Sequence, residues 1–284
     1  MLRVRPRPAP LRLLDDRDLA DVLAICATDP VANVFVESRV RALGLDPGRL
    51  GAQMWGHAPD GRLTSLCYAG ANLVPVNANQ AAIAAFAERA VRQGRRCSSV
   101  VGPSSQVSEL WTRLRSSWGP PRDIRPVQPL MTIEGAPAVA ADPAVRRVRP
   151  DEIDILMPAC IAMFTEEVGV SPIGSDGGAS YRARVSELIR SGRAFARIEN
   201  HQVIFKAEVG AVTPRACQVQ GVWVRPEYRG RGLAAPGMAA VVEEARRAIA
   251  PVVSLYVNDY NLPGLATYYR AGFREVGRFM SVLF

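Results

Sequence analysis

The sequence predicts two α/β modules in tandem, each with a mixed β-sheet flanked by helices. Three observations lead to this fold class. The chain has 284 residues, which suggests two domains at ~100–200 residues each. Short apolar, strand-like runs alternate with helical segments in both halves of the chain. A strand, turn and helix pattern near the N-terminus also recurs in the second half.

This internal repeat aligns residues 12–26 with residues 146–160 without a gap. Each copy reads as a short strand, a turn with an acidic helix start, and a helix with apolar residues three and four positions apart. Both halves then continue into a hairpin-like region, over residues 63–76 and 203–212. The repeat predicts that the two modules share one architecture.

A segment of small residues and prolines separates the modules. Residues 134–143 read Glu-Gly-Ala-Pro-Ala-Val-Ala-Ala-Asp-Pro, a composition that suits a linker. We therefore predict an N-terminal module over residues 1–136, a linker over 137–144 and a C-terminal module over 145–284.

The elements of the C-terminal module follow from apolar periodicity and turn residues. Strands are predicted at residues 145–148, 194–199, 203–212, 216–224 and 252–257, with a final strand pair within 273–284. Helices are predicted over 153–164, 181–191 and 263–271 and after Gly232, with a Gly- and Ser-rich loop over 169–178. Pro236 falls in the first turn of its helix, where a missing N–H costs little.

The composition is typical of a soluble globular protein, with 48% hydrophobic and 22% charged residues. No apolar run approaches the ~20 residues that a bilayer-spanning helix needs. Residues 1–8 are basic and rich in proline but lack the apolar core of a signal peptide. We expect a cytoplasmic protein without a membrane partner.

Neither a metal site nor a nucleic-acid surface is expected. The five cysteines form no Cys-x-x-Cys pair, and His57 and His201 have no metal-ligand spacing to them. The cysteines are expected to be small buried residues. The net charge of +8 comes almost entirely from arginine, since Lys206 is the only lysine. These arginines are scattered and are not interleaved with aromatic residues, as a single-strand binder would require.

The strongest functional signal is a strand that runs into a loop rich in glycine and arginine and then into a helix. Residues 222–234 read Val-Trp-Val-Arg-Pro-Glu-Tyr-Arg-Gly-Arg-Gly-Leu-Ala. Gly230 and Gly232 let the backbone approach a ligand. The helix start offers free N–H groups and the positive end of its dipole. Arg229 and Arg231 add charge, so the segment predicts a pyrophosphate site.

Two motifs resemble those of the GNAT acyltransferases. The spacing Arg229-x-x-Gly232-x-Ala234 is similar to that family's Arg/Gln-x-x-Gly-x-Gly/Ala signature. Downstream, Asn261, Tyr268 and Gly272-Phe273 have the spacing of the family's Asn-x6-Tyr-x3-Gly-Phe ending. The resemblance covers roughly residues 145–284. It implies a mixed, mostly antiparallel sheet and acetyl-CoA as co-substrate.

The resemblance also implies how acetyl-CoA is held. The acetyl carbonyl would bond to backbone N–H groups of the strand before the loop, at Val222, Trp223 and Val224, with the pantetheine arm along the same strand. The pyrophosphate would bind the N–H groups of Arg229, Gly230, Arg231, Gly232, Leu233 and Ala234. Asn261 would either cap its helix or touch the pantetheine amides.

Tyr268 holds the family's tyrosine position, which implies a general acid for the CoA thiolate. A phenol with a pKa of ~10 stays protonated near neutral pH and can donate a hydrogen bond. The alternative is a helix tyrosine that packs on the sheet.

The general base is less clearly marked. Family members often carry a glutamate on the strand before the loop, but Gln218 and Gln220 stand there and cannot take a proton. Glu208, on the adjacent predicted strand, is an ionisable substitute. Its alternative role is an ion pair with Lys206 or an arginine.

Glu166 and Glu167 fall where the family places its acceptor-side loop. They could attract a cationic amine or form a solvated helix end. Together the motifs predict an acetyl-CoA-dependent N-acetyltransferase that acts on a primary amine of a small molecule or protein. The alternative is a non-catalytic acyl-CoA-binding regulatory protein.

The N-terminal half lacks the loop motif. Before the predicted helix over residues 80–92, the chain reads Val-Asn-Ala-Asn, without glycine or arginine. This half is predicted to be a degenerate module that has lost its CoA pocket. The arrangement resembles tandem GNAT proteins such as mycothiol synthase, and more closely two-module actinobacterial members of the family.

Overall fold

The computed structural model of the protein describes residues 10–284, which form two compact units. Unit 1 contains the described residues up to Leu130 together with Val276–Phe284, and unit 2 is Met131–Glu275. The signal-peptide prediction concerns residues 1–8, which lie outside the described part. No helix over residues 10–284 has the length and hydropathy of a membrane span.

Unit 1 is an α/β unit with one parallel strand pair. Its strands are β1 (Leu11–Leu13), β2 (Gln53–His57), β3 (Ser65–Ala69), β4 (Asn72–Val76), β5 (Ser99–Pro103), most of β6 (Asp123–Ile133) and most of β12 (Arg274–Leu283). Its helices are α1 (Leu19–Cys26), α2 (Val34–Leu43), α3 (Pro47–Leu50), α4 (Gln80–Gln93) and α5 (Ser104–Trp118). Strands β1-β2-β3-β4-β5-β12 are neighbours in that order, and only β4 and β5 of these pair in parallel.

Unit 2 has the same kind of arrangement. Its elements are β7 (Val145–Arg147), α6 (Ile153–Val168), α7 (Ala179–Arg190), β8 (Ala194–Glu199), β9 (Gln202–Val212), β10 (Ala216–Val224), α8 (Ala234–Ala248), β11 (Val252–Tyr256) and α9 (Leu262–Ala271). Strands β11-β10-β9-β8-β7 are neighbours in that order, parallel between β10 and β11 and antiparallel elsewhere. The predicted fold class is confirmed.

The repeat seen in the sequence is a repeat in space. In each copy a short strand is followed by a 3-10 turn and a helix. Arg12 donates two hydrogen bonds to Asp18, at 2.8 and 2.5 Å. Arg146 donates two to Glu152, at 2.8 and 2.6 Å. Each carboxylate also accepts from a backbone N–H three residues earlier, so the same bidentate pair closes the turn in both units.

The compact units differ from the predicted boundaries at the C-terminus. Residues 276–284 belong to unit 1, where residues 279–283 of β12 pair antiparallel with Ser99–Pro103. Met280 and Val282 pack into a core that contains Phe86 and Trp111. The predicted strand pair within residues 273–284 is one long strand. Alternating apolar residues predict a strand but do not say which neighbour it joins, because pairing is non-local.

The predicted linker has no regular secondary structure over residues 137–144, but it is held against unit 2. The N–H of Ala138 donates to the carbonyl of Ala271, and the N–H of Asp142 to that of Pro236, each at 3.0 Å. The carboxylate of Asp142 accepts a hydrogen bond from Arg197 at 3.0 Å. The segment is therefore a packed part of unit 2.

The two faces of β9 are covered by different helices. Phe205, Ala207 and Val209 belong to a core cluster that includes residues of α8 and α9. Lys206 and Glu208 alternate with them, so they point to the other face, which α6 and α7 cover. This alternation places two charged side chains inside unit 2.

All five cysteines are buried and free, as expected. Within residues 10–284 no group of three or more histidine, cysteine, aspartate or glutamate side chains is placed to hold a metal ion.

Candidate functional site

The glycine-rich loop joins the end of β10 to the start of α8. A 3-10 turn at Pro226–Tyr228 leads to Gly230 and Gly232, whose φ angles are +75° and +77°. A Cβ atom at either glycine would meet nothing within 4 Å, so open space lies beside the backbone here. Leu233 occupies the cap position of α8, and no side chain caps the helix. This is the geometry of an anion site, in which the first N–H groups of a helix meet the ligand.

Arg229 is held between the strand and α6. Its Nε donates to the carbonyl of Val224 at 2.9 Å, and its Nη2 donates to Glu166 Oε2 at 2.7 Å. The other oxygen of Glu166 accepts from Trp223 Nε1 at 3.1 Å. Arg231 lies over the ring of Tyr228, 5.0 Å from the centroid. The loop is thus tied to the last turn of α6.

These contacts change the interpretation of Glu166. Both of its carboxylate oxygens are engaged by Trp223 and Arg229, so the structure brings it to the loop. Glu167 is exposed, and its charge is one of the influences that raise the pKa of Tyr268. Of the two predicted acceptor-side carboxylates, Glu166 is the one whose bond to the loop arginine is seen, at 2.7 Å from Arg229 Nη2.

Strand β10 is bulged over the residues predicted to hold the acyl group. Its register with β9 shifts between Gln218 and Val219 and again between Gln220 and Trp223. Gly221 lies in the second shift, with a φ of +59°. Sequence reasoning missed this residue, although an isolated glycine in an apolar strand is the usual signal of a bulge.

The other edge of β10 is only partly paired. Among the described residues, the parallel pairing joins residues 216–218 to residues 252–254 and goes no further. The segment Val222, Trp223 and Val224 therefore lies beyond the paired part of the β11 edge. Backbone groups along such an edge can bond an extended ligand.

Glu208 is buried in an ion pair. It is 7% exposed, and its Oε2 lies 3.2 Å from the Nζ of Lys206, which is 1% exposed. Its Oε1 accepts from Gln220 Nε2 at 2.8 Å. The Lys206 pairing that the sequence left open is therefore present, and Gln220 adds a second partner.

The pair keeps both groups charged despite burial. Burial pushes the pKa of Glu208 upward, but the Lys206 charge and the hydrogen bond from Gln220 outweigh it, so the pKa is lowered. For Lys206, burial pushes the pKa downward and the charge of Glu208 outweighs it, so the pKa is raised. Glu208 is a carboxylate at neutral pH.

Tyr268 lies on α9 and is 8% exposed. Its ring packs edge-on against Phe273, with the centroids 6.0 Å apart, inside the core beneath α8 and α9. Burial, and then the charge of Glu167, raises the pKa of Tyr268. The phenol stays protonated at neutral pH, as a proton donor must.

Asn261 caps its helix, which is one of the two roles predicted for it. Its side chain is exposed, and its Oδ1 accepts from the N–H of Gly264 at 3.0 Å. This bond satisfies one of the free donors at the start of α9.

The corresponding helix start in unit 1 is closed by the chain's own side chains. Before α4, the Oδ1 of Asn79 accepts from the N–H of Ala82 at 2.9 Å. The Oε1 of Gln106 accepts from the N–H of Ala78 at 3.0 Å. These donors are therefore occupied, in contrast to the uncapped start of α8. The predicted loss of the CoA pocket in the N-terminal half stays a prediction.

Two family models match separate parts of the chain. Residues 190–273 match the acetyltransferase (GNAT) family. Residues 52–156, which precede this segment, match a domain of unknown function, DUF4081. The sequence has no significant match among curated proteins.

Solved structures extend the GNAT likeness over nearly the whole chain. An acetyltransferase of the GNAT family from Colwellia psychrerythraea has a TM-score of 0.58 at 11% identity, with 96% of this chain and 99% of that chain covered. The tandem GNAT protein of the clavulanic acid biosynthesis pathway has a TM-score of 0.55 at 16% identity, with 96% and 98% covered. A GCN5-related N-acetyltransferase from Sphaerobacter thermophilus has a TM-score of 0.55 at 19% identity, with 95% and 93% covered. At these identities the likeness shows the fold alone, and the similarity extends over both units of the chain.

Proposed function

We propose that the protein is an acetyl-CoA-dependent N-acetyltransferase whose active site lies in unit 2. The observation that carries this proposal is the uncapped start of α8 directly after Gly230 and Gly232, at the end of a bulged strand. A helix start of this kind binds phosphate groups. The GNAT match over residues 190–273 supports acetyl-CoA as the ligand that brings them.

In this proposal the parts of acetyl-CoA bind along one path. The pyrophosphate accepts hydrogen bonds from the N–H groups of residues 230–234. The predicted share of the Arg229 N–H is corrected, because that group donates to the carbonyl of Pro226 at 3.1 Å. The pantetheine arm lies on the unpaired edge of Val222–Val224. There the acetyl carbonyl accepts from backbone N–H groups, which also stabilise the negative charge that develops during transfer.

The reaction then needs two proton transfers. The neutral nitrogen of the amine attacks the carbonyl carbon, the C–S bond breaks, and the CoA thiolate takes a proton from the hydroxyl of Tyr268. The proton lost by the amine passes to Glu208, the ionised carboxylate behind the bulge, and solvent restores both groups. The acceptor is a primary amine of a small molecule or protein.

Isothermal titration with acetyl-CoA tests the site. Wild-type protein should bind, and both Gly232→Asp and Arg229→Glu should weaken binding by more than tenfold, because each places negative charge against the pyrophosphate. Gly119→Asp is the matched control, since Gly119 also has a φ of +75° and open space around it. Absence of binding by the wild type would contradict the proposal.

The role of Tyr268 is tested by thiol release from acetyl-CoA with a panel of amines. Tyr268→Phe should slow release by about 100-fold, because a positioned general acid contributes about this much, and should leave the affinity for acetyl-CoA unchanged. Tyr269→Phe, at a neighbouring residue that is 52% exposed, should react as the wild type does. Equal rates for the two variants would remove Tyr268 from the mechanism.

A second candidate function is a non-catalytic acyl-CoA-binding regulatory protein. It is favoured by the state of Glu208, whose two oxygens are occupied by Lys206 and Gln220 and whose pKa is lowered. A carboxylate with a low pKa is a weak base. This candidate predicts acetyl-CoA binding with no amine-dependent thiol release over the whole panel, and any release that depends on Tyr268 excludes it.

A further inference from the structure

The buried pair of Lys206 and Glu208 lies directly behind the bulge of β10. A Cβ atom built on Gly221 would lie 3.1 Å from Lys206 Nζ, 3.3 Å from Glu208 Cδ and 3.0 Å from Met163 Cε. The backbone of the bulge therefore rests on the charged pair. Only a glycine leaves room for this contact.

Glu208 also fixes the residue that precedes the bulge. Gln220 donates to Glu208 Oε1 at 2.8 Å. Its side chain lies over Gly210, where a Cβ atom would approach the Gln220 amide to 2.3 Å. Gln220 is the last residue in register before the shift that ends at Trp223. The pair thus holds the strand at the position where its register changes.

Stability alone does not account for a buried ion pair at this place. Apolar side chains of similar volume commonly give equal or greater stability, because desolvation of the charges offsets their attraction. Of 35 lysine and arginine residues in the chain, Lys206 is the only lysine. A guanidinium has five donors, and a closed space beneath a strand cannot supply acceptors for all of them. A compact ammonium has three donors and needs fewer acceptors.

The surroundings of Glu208 come from four elements. Lys206 lies on its own strand and Gln220 on β10. Lys206 donates to the sulfur of Cys160 on α6, and Tyr181 and Arg184 on α7 interact electrostatically with Glu208. Lys206 is the cation in direct contact, so it determines where the carboxylate is held.

Beyond the proton transfer assigned to Glu208 above, we propose that the Lys206–Glu208 pair has a positioning role: it fixes the bulge at Gly221 and thereby aims backbone N–H groups of β10 at the acyl carbonyl of a bound thioester. The pair makes the site select acyl-CoA over free CoA. This inference rests on the proposed function, since it concerns the same strand and ligand. Free CoA has the pyrophosphate and the pantetheine arm but no acyl oxygen. The difference in affinity between acetyl-CoA and CoA therefore isolates the contribution of the acyl group.

The test compares the dissociation constants of acetyl-CoA and CoA by isothermal titration. Wild-type protein should prefer acetyl-CoA by roughly fivefold, the value of one ordinary hydrogen bond. Lys206→Met and Glu208→Gln should reduce this preference to about one while the affinity for CoA stays unchanged. Each single variant leaves a buried group without its partner, so lower thermal stability is expected as well.

Three further variants keep the test decisive. The double variant Lys206→Met with Glu208→Gln removes both charges, so it should fold even where a single variant does not, and it should still lack the preference. Gly221→Ala disturbs the bulge from the backbone side and should have the same effect. Glu152→Gln is the matched control, because Glu152 is also a buried carboxylate bound by an arginine and a backbone N–H but belongs to the turn before α6. This control should keep the preference.

The outcomes separate the inference from the proposed function. If the wild type binds neither ligand, the proposed function fails. If it binds both equally, or if the double variant and Gly221→Ala keep the wild-type preference, the positioning role of the pair is overturned and the CoA site stands.

Discussion

Gly237 sets the distance between α8 and the sheet. A Cβ atom at this position would lie 2.9 Å from three ring atoms of Phe205, closer than carbon atoms pack. Phe205 is fully buried on the face of β9 that α8 covers. The missing side chain lets the helix lie close to the strand, and this helix carries the start that follows the glycine-rich loop. A single residue thus helps to place the candidate phosphate site.

Substitution of Gly237 should reverse the usual effect of alanine in a helix. Alanine normally stabilises a helix by about 1 kcal/mol relative to glycine. Here the methyl group meets the ring of Phe205, so Gly237→Ala should lower the free energy of unfolding by about 1–3 kcal/mol. Denaturant unfolding measures the change. Gly135→Ala, which meets nothing within 4 Å, should be nearly neutral, and a stabilised Gly237→Ala would show that the helix can move away.

Several site residues could be named from the sequence because their signal is local. Gly230 and Gly232 were identified from the loop composition and Asn261 from the family resemblance, and each has the backbone or capping geometry that its motif suggests. Glu166 was predicted on the acceptor side or at a solvated helix end, and its bonds to Trp223 and Arg229 could not be predicted because these partners lie far away in the sequence. Ion pairs of this kind depend on how distant elements pack, so local sequence patterns do not predict them.

At the scale of elements, the turn before α6 depends on one carboxylate. Glu152 accepts two hydrogen bonds from Arg146 and one from the N–H of Arg149. The hydrogen bonds with Arg146 are the largest cause that lowers the pKa of Glu152, from 4.5 to about 2. The same turn in unit 1 uses Asp18 and Arg12, so an equivalent ion pair precedes the first helix of each unit.

The lowered pKa of Glu152 predicts a pH dependence of stability. A carboxyl whose pKa is lower in the folded state stabilises the fold fully above its ordinary pKa, and this contribution is lost as the pH falls through the folded value. Stability should therefore decline between pH 4.5 and about 2. Glu152→Gln should be less stable at neutral pH and decline less steeply over that range. Melting temperatures recorded across this range test this, and parallel curves for the two proteins would contradict it.

The secondary structure itself was largely predictable, whereas the bulge left only the isolated Gly221 as a local signal. The strands, the glycine-rich loop and the helix that follows it could be assigned from apolar periodicity and glycine positions. A bulge changes only the pairing with a neighbouring strand, here β9, so the period of β10 by itself does not reveal it.

At the scale of the whole molecule, the last strand joins the first unit. Val282 is fully buried and packs into the unit 1 core, whereas Val276 in the same strand is 57% exposed. Unit 1 is therefore completed only when the end of the chain reaches β5. Such a late, non-local pairing slows folding, because a long loop must close before the contact forms.

The packing of β12 into unit 1 predicts different effects on stability for two substitutions in this strand. Val282→Asp should destabilise unit 1 by ~3 kcal/mol or more, because it buries an unpaired charge. Val276→Asp should have little effect. Hydrogen exchange of the β5 amides measures unit 1 directly, and equal protection in both variants would show that β12 is not needed to hold β5.

The sequence by itself determined the elements, the tandem repeat and the loop that predicts a CoA site, because periodicity, capping residues and glycine spacing act over a few residues. Tertiary structure decided the rest: that β12 completes unit 1, that Gly221 forms a bulge, that Glu166 bonds the loop and that Glu208 is paired with Lys206. Each of these depends on which distant segments meet. A short stretch of sequence predicts whether a residue is buried, but it does not predict which distant residue it will contact.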